Sequence, residues 1–190
     1  MKPPRMKSAI LCLVFVLVAL ASGMSHAYVP VRISIKFIVD ANNNRPATGN
    51  LNTDAEINAE VNIGYEILSD VFSELRLQSI ELVDVTGVQQ WYTADATEAN
   101  RDNLRTAAQA NQTLYLWRTN AINIYINAGN GSAISDFPPN NNIILMNQWC
   151  ANAPSCILHE IGHSINLLHT HEGGGNDGGA DTVSDNQYWT

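Results

Sequence analysis

One short segment of the chain places two histidines and a glutamate at a spacing that suits metal chemistry. It runs from His159 to His163 and reads HEIGH. On an α-helix, residues four apart differ by about 40° in direction and about 6 Å in height, so His159 and His163 point the same way from neighbouring turns. Two imidazoles placed in this way can bind one cation. Glu160 is rotated by about 100° from His159 and can reach a water molecule beside that cation.

A third histidine can join this pair only if the helix ends before it. His169 lies ten residues after His159, and on a continuous helix it would point about 80° away. Asn166 lies between the second and third histidines, and asparagine readily takes the left-handed conformation that ends a helix. We therefore predict a break at Asn166 that brings His169 to the same cation. Three protein ligands and one open position are typical of a catalytic zinc site.

The rest of the chain alternates between strand and helix patterns. A capping box formed by Thr53 and Glu56 predicts the start of a helix that continues to about Arg76. A second helix is predicted within 94–110, and a last helix, opened by Pro154, carries the histidines. Alternating or short apolar runs predict strands at 31–39, 80–85, 121–127, 132–137 and 143–146. These elements indicate a single domain of the α/β (α+β) class.

The first and fourth strands each carry a further expectation. In the first, Val31, Ile33 and Ile35 alternate with Arg32, Ser34 and Lys36, which predicts a strand with one strongly apolar face. The fourth, 132–137, is followed by two prolines, so we expect a short, exposed edge strand.

The first 27 residues have the pattern of a secretory signal peptide. Three basic residues precede an apolar run from Ala9 to Ala21, which is too short for a bilayer core of roughly 30 Å. Ser25 and Ala27 supply the small residues of a cleavage site. We therefore expect a signal peptide at 1–27, a domain at 28–190, and a secreted or periplasmic protein with no membrane partner once the signal is removed.

Composition excludes two classes of protein. Hydrophobic residues make up 45% of the 190 residues and charged residues 15%, which is inconsistent with a disordered acidic chain. The net charge is −8, whereas a nucleic-acid-binding surface needs basic side chains. We expect no nucleic-acid partner, and the oligomeric state is open.

Cysteine usage suggests one disulfide. Cys12 lies in the signal segment, which leaves Cys150 and Cys156, six positions apart. In an exported protein such a pair is typical of a local disulfide loop. Pairing elsewhere and two reduced thiols are the alternatives.

The histidine segment resembles the zinc-binding motif of a known clan of proteases. HEIGHSINLLH is similar to the extended consensus of the metzincin metalloendopeptidases, HExxHxxGxxH, with Asn166 at the glycine position. Within that clan the chain most resembles the pappalysin-like (cytophagalysin) family. The supporting segments, which extend the resemblance over about 31–185, are Ile124-Tyr125-Ile126, Phe137-Pro138, His169-Thr170 and Asp181-Thr182-Val183-Ser184-Asp185.

The resemblance implies a fold and an activity. The fold is the upper metzincin subdomain, a twisted mixed five-stranded sheet with an antiparallel edge strand, packed on two to three helices. The activity is peptide-bond hydrolysis with Zn²⁺ as cofactor, His159, His163 and His169 as ligands, and Glu160 as general base. The substrate would be a protein or peptide that pairs in extended form with the strand at 132–137, although that segment is equally consistent with a plain edge strand.

One departure from the family supports a second hypothesis. Metzincins have a methionine-containing turn after the third histidine, and no methionine follows Met146 in this sequence. We therefore expect a C-terminal subdomain that is truncated or incomplete. The alternative to a working peptidase is a catalytically impaired zinc-binding or interaction module.

The last twenty residues contain acidic side chains that could bind a second metal. Asp177, Asp181 and Asp185 lie in a segment rich in glycine, and carboxylate oxygens are the ligands that Ca²⁺ prefers. Their spacing is not that of an EF-hand, so a solvated loop is the other interpretation.

Overall fold

A computed structural model describes residues 28–46, 53–71, 74–140, 142–151 and 153–167 of the chain. Their strands form one five-stranded sheet in the order β2-β1-β3-β5-β4. Strands β2, β1, β3 and β5 run parallel to one another, and β4 runs antiparallel to β5 at the edge. The strands are β1 (Val29–Ile38), β2 (Leu75–Val85), β3 (Ile122–Asn127), β4 (Ala133–Ile134) and β5 (Ile143–Asn147). The predicted mixed sheet with an antiparallel edge strand is confirmed.

In the described ranges, three longer helices and two short ones cover this sheet. They are α1 (Asp54–Val71), α2 (Glu98–Ala110), α3 (Gln112–Tyr115), α4 (Gln148–Ala151) and α5 (Pro154–Ser164), with a 3₁₀ turn at Gln89–Trp91. Among the described residues, no helix is both long and apolar enough to cross a membrane. The predicted signal peptide at 1–27 lies outside the part of the chain that the structure describes.

Helix α1 begins where the sequence predicts and ends earlier. The Thr53 hydroxyl accepts from the backbone N–H of Glu56, and the Glu56 carboxylate accepts from the backbone N–H of Thr53, so the capping box is confirmed. The predicted end near Arg76 is wrong, because the helix stops at Val71 and Arg76 lies in β2. Strand β2 pairs with β1 along its whole length, and this ladder offers the backbone of Leu75 and Arg76 partners that a longer helix would forgo.

The apolar face predicted for β1 is confirmed, and the opposite face of the sheet is buried as well. One face packs apolar side chains of β1 and β3 against α1 and α5, and the other packs Tyr125 and Leu145 against α2 and α3. Ser34 and Lys36 on this second face are fully buried. A largely parallel sheet is covered by helices on both sides, so even the polar residues of β1 lie inside.

The fourth strand is shorter and less exposed than predicted. Only Ala133 and Ile134 pair with β5, and both are half-buried. Ser135 is buried, and Pro138 and Pro139 follow after two further residues. The pairing therefore ends before the two prolines, which have no N–H to donate to a ladder.

Candidate metal centre

Helix α5 is positioned by a proline at its start and a disulfide to its neighbour. Pro154 occupies the first turn, where a missing N–H costs no intrahelical bond. Cys150 of α4 is bonded to Cys156 of α5, and their Cα atoms lie 5.5 Å apart, a usual separation for a disulfide. The predicted local bridge is confirmed. It ties the first turn of α5 to the short helix that follows β5.

The two histidines of the helix face each other as their spacing predicts. The Nε2 atoms of His159 and His163 are 3.0 Å apart, and the ring centroids are 4.5 Å apart. His159 is exposed and His163 is half-buried. One edge of this pair contacts Phe137, whose ring centroid lies 5.0 Å from that of His163. The two ring nitrogens therefore converge on one point at the surface of the helix.

The chain beyond the helix orients the second imidazole. Helix α5 ends at Ser164, and Asn166 has a φ of 73°, so the predicted left-handed break is confirmed. This turn places the carbonyl oxygen of Leu167 2.8 Å from Nδ1 of His163. Because a carbonyl only accepts, Nδ1 is the donor in this contact, and Nε2 is the ring nitrogen that faces His159.

Several predicted site residues lie outside the described part of the chain. These are the third histidine, His169, and the acidic residues Asp177, Asp181 and Asp185. Within the described ranges, no group of three or more His, Cys, Asp or Glu side chains converges on one point. The described residues therefore supply two of the three predicted zinc ligands.

Glu160 lies beside the histidines and is held by a residue that the sequence analysis did not identify. Only 7% of Glu160 is exposed, and its Oε2 accepts a hydrogen bond of 2.6 Å from Oγ of Ser135. Ser135 follows the edge strand directly. The sequence did contain a pattern that could have identified Ser135, because alternate residues of an extended segment point to the same side. Along 133–137, Ala133 packs in the core with α5, Ser135 contacts Glu160, and Phe137 contacts His163.

A pocket of about 540 Å³ opens next to these side chains. Trp149 borders it and is 59% exposed, whereas Trp117 is buried in the core. The pocket lies on the side of the helix where the disulfide joins α4 to α5. Its lining consists of Ser132, Trp149, Cys150, Ala153, Ser155, Cys156, His159 and Glu160.

The donor set fits a zinc ion. Neutral imidazole nitrogens are among the ligands that Zn²⁺ prefers, at about 2.0–2.1 Å from the metal. The Nε2 atoms of His159 and His163 are close enough for one ion to contact both. The hydrogen bond from His163 to Leu167 is the outer support that metal-binding histidines usually have.

Comparison with known proteins agrees with this geometry. No curated protein matches the chain. Residues 116–190 match the model of the peptidase M43 family, described as pregnancy-associated plasma protein-A. The matched region spans β3, β4, β5 and α5, and so contains Glu160 and the three histidines predicted to bind the metal. This match supports the assignment of the region to the pappalysin-like metallopeptidases, the metzincin family that the zinc motif resembles.

Proposed function

We propose that this protein is a secreted zinc-dependent endopeptidase. His159, His163 and His169 would hold the metal, and Glu160 would act as the general base. The observation that carries the proposal is the convergence of the two Nε2 atoms, 3.0 Å apart, on the helix that also presents Glu160 to an adjacent pocket. The family match, which implies a peptidase that uses a metal, supports it.

The chemistry divides between the metal and the carboxylate. A zinc ion supplies a Lewis acid that lowers the pKa of water to about 7 and polarises a carbonyl. Glu160 takes a proton from the attacking water and returns it to the leaving amine. The hydrogen bond between Nδ1 of His163 and the Leu167 carbonyl would hold the ring with Nε2 toward the metal.

The surroundings of the site suit a peptide in extended conformation. Strand β4 lies at the edge of the described sheet and pairs only with β5 there. A substrate strand can add to such an edge through backbone hydrogen bonds. The pocket beside Glu160, bordered by Trp149 and the disulfide, can take one apolar side chain of that peptide.

Secretion is part of the same proposal. Residues 1–27 have the signal-peptide pattern. The disulfide between Cys150 and Cys156 belongs to an oxidising compartment. Detection of the protein in the medium or periplasm, with an N-terminus near Tyr28, would test this point.

The central experiment combines metal analysis with a protease assay. We expect the purified chain to bind one zinc ion and to cleave an unstructured protein in a chelator-sensitive reaction. Glu160→Gln should keep the zinc and lower kcat by roughly 10²-fold to 10⁴-fold, because the proton acceptor is lost. The matched control is Glu66→Gln, at an exposed glutamate of α1, which should change neither quantity.

A second candidate function needs only the paired Nε2 atoms of His159 and His163 and no general base. It is a zinc-binding interaction module without hydrolytic activity. Stoichiometric zinc without chelator-sensitive cleavage would support this candidate and contradict the first. A chain that binds no zinc would contradict both.

A further inference from the structure

The hydrogen bond between Ser135 and Glu160 is short and lies inside the protein. Its length of 2.6 Å is typical of a hydroxyl that donates to a charged carboxylate. Both side chains are buried, with 8% of Ser135 and 7% of Glu160 exposed. A charge-assisted bond that water barely reaches is stronger than one at the surface.

The backbone of Ser135 is itself held in place from helix α2. The guanidinium of Arg101 donates from Nη1 to the carbonyl oxygen of Ser135. Arg101 is only 7% exposed. Its Nε lies 3.0 Å from Oδ1 of Asp102, and its Nη2 lies 3.4 Å from Oδ2 of Asp136. Since Arg101 lies on α2 and Glu160 on α5, Ser135 links two side chains that stand 59 positions apart in the chain.

The bond leaves one carboxylate oxygen of Glu160 available. Oε2 is engaged by Ser135, and the carboxylate can rotate little while that bond is kept. A general base must point its oxygen at the water that loses the proton. A support that fixes Oε2 therefore orients Oε1.

We propose that Ser135 is a positioning residue for Glu160: its hydroxyl holds Oε2 so that Oε1 faces the reacting water. The inference rests on the proposed peptidase function. Ser135 directly follows β4, the strand along which we propose that the substrate lies. The same segment therefore binds the substrate backbone and aligns the base.

The kinetic test replaces the hydroxyl and then restores it. Ser135→Ala should lower kcat by roughly 10-fold to 100-fold, as loss of a supporting partner does in comparable sites. KM and bound zinc should stay unchanged, since Ser135 contacts Glu160 and no histidine is altered. Ser135→Thr, which keeps the hydroxyl, should recover most of the kcat.

A matched control removes a different serine hydroxyl. Ser69 donates to the carbonyl of Glu66 within helix α1, so Ser69→Ala should leave kcat at the wild-type value. An unchanged kcat in Ser135→Ala would overturn the inference. Equal losses in Ser135→Ala and Ser135→Thr would do the same, because the hydroxyl would then not be the cause.

A second measurement needs no activity. In the metal-free full chain, the unfolding equilibrium is measured for Ser135→Ala, Glu160→Ala and the double variant. The unfolding equilibrium constant of the double variant should differ about tenfold from the value that the two single effects predict when multiplied. This factor corresponds to the free energy of one hydrogen bond to a charged group. Strict additivity would contradict the contact.

The two measurements separate the inference from the function on which it rests. An active wild type with additive variants would overturn the role of Ser135 and leave the peptidase proposal standing. A wild type that hydrolyses nothing would overturn the proposed function, and with it the positioning role, even if the pair proved coupled.

Discussion

Nδ1 of His163 lies 2.8 Å from the carbonyl oxygen of Leu167, four residues further along the chain. In a continuing helix that carbonyl would point away along the axis. It meets the ring here because the helix ends at Ser164 and Asn166 turns the chain back with a φ of 73°. The backbone N–H of Leu167 also donates to the carbonyl of Gly162 over 2.9 Å, which closes the end of the helix.

Asn166→Ile should therefore weaken both the fold and the metal site. A β-branched side chain resists the left-handed region, so we expect a loss of about 1–2 kcal/mol in the free energy of unfolding. Zinc affinity should fall roughly tenfold, because the Leu167 carbonyl no longer supports His163. Asn166→Gly, which keeps the conformation available, is the control. Chemical unfolding of the metal-free chain and zinc titration measure the two effects, and equal behaviour of the two variants would refute the explanation.

The pH dependence of stability should reveal the buried lysine on the other face of the sheet. Lys36 is fully buried, and its Nζ donates to Ser34 and, over 2.9 Å, to Oδ1 of Asn123. Burial lowers the pKa of Lys36 from 10.5 to about 7, although Glu81 lies 3.8 Å away. Burial alone would raise the pKa of Glu81, but hydrogen bonds from Arg118 and Ser34 hold it below its usual range.

Between about pH 7 and pH 10, the unfolded chain binds a proton at Lys36 that the folded chain does not. The free energy of unfolding should therefore rise with pH over this window, by at most about 1.4 kcal/mol for each pH unit. Lys36 is the only lysine in residues 28–190, so Lys36→Met should abolish its contribution to the rise in the free energy of unfolding. Urea unfolding of both proteins across the window gives the difference. If the free energy of unfolding changed with pH in the same way in the wild type and in Lys36→Met, Lys36 would have its ordinary pKa.

Reduction of the disulfide should destabilise the chain. Cys150 and Cys156 close a loop with a sequence separation of six, for which the loss of loop-closure entropy predicts about 2 kcal/mol. The measurement is urea unfolding with and without reductant. The double variant Cys150→Ala, Cys156→Ala should unfold as the reduced protein does and show no response to reductant. A response in that variant would mean that the reductant acts elsewhere.

Trp149 should affect substrate binding more than turnover, if the proposed function holds. Its indole is 59% exposed and borders the pocket beside Glu160. Trp149→Ala should raise KM for peptides with a large apolar residue by roughly threefold to tenfold, because part of the apolar wall is lost. Trp149→Phe should have a smaller effect, and kcat should be unchanged in both. A fall in kcat at constant KM would place Trp149 in the chemistry and contradict the prediction.

Local interactions explain why parts of the fold were predictable. The capping box at Thr53, the proline start of α5 and the turn at Asn166 each depend on a few consecutive residues. The pairing of His159 with His163 follows from helix geometry alone. Such features can be predicted without knowing which segments pack against them.

Interactions between distant segments explain the differences. The residues near Arg76 fit a helix by periodicity, but β1 offers them a longer backbone ladder. Lys36 looks like a surface residue in its own strand, and it is buried because other segments cover that face. Ser135 stands 25 positions before Glu160, so no local pattern couples the two.

The order of residues along one helix thus determined by itself which side chains face a common point, because helix geometry depends only on neighbours in the chain. The tertiary structure alone decided that Ser135 holds Glu160, that Lys36 loses its contact with water, and that a pocket lies beside His159. Hydrogen bonding and desolvation depend on which segments meet in space, and that meeting is set by the packing of the whole sheet and its helices.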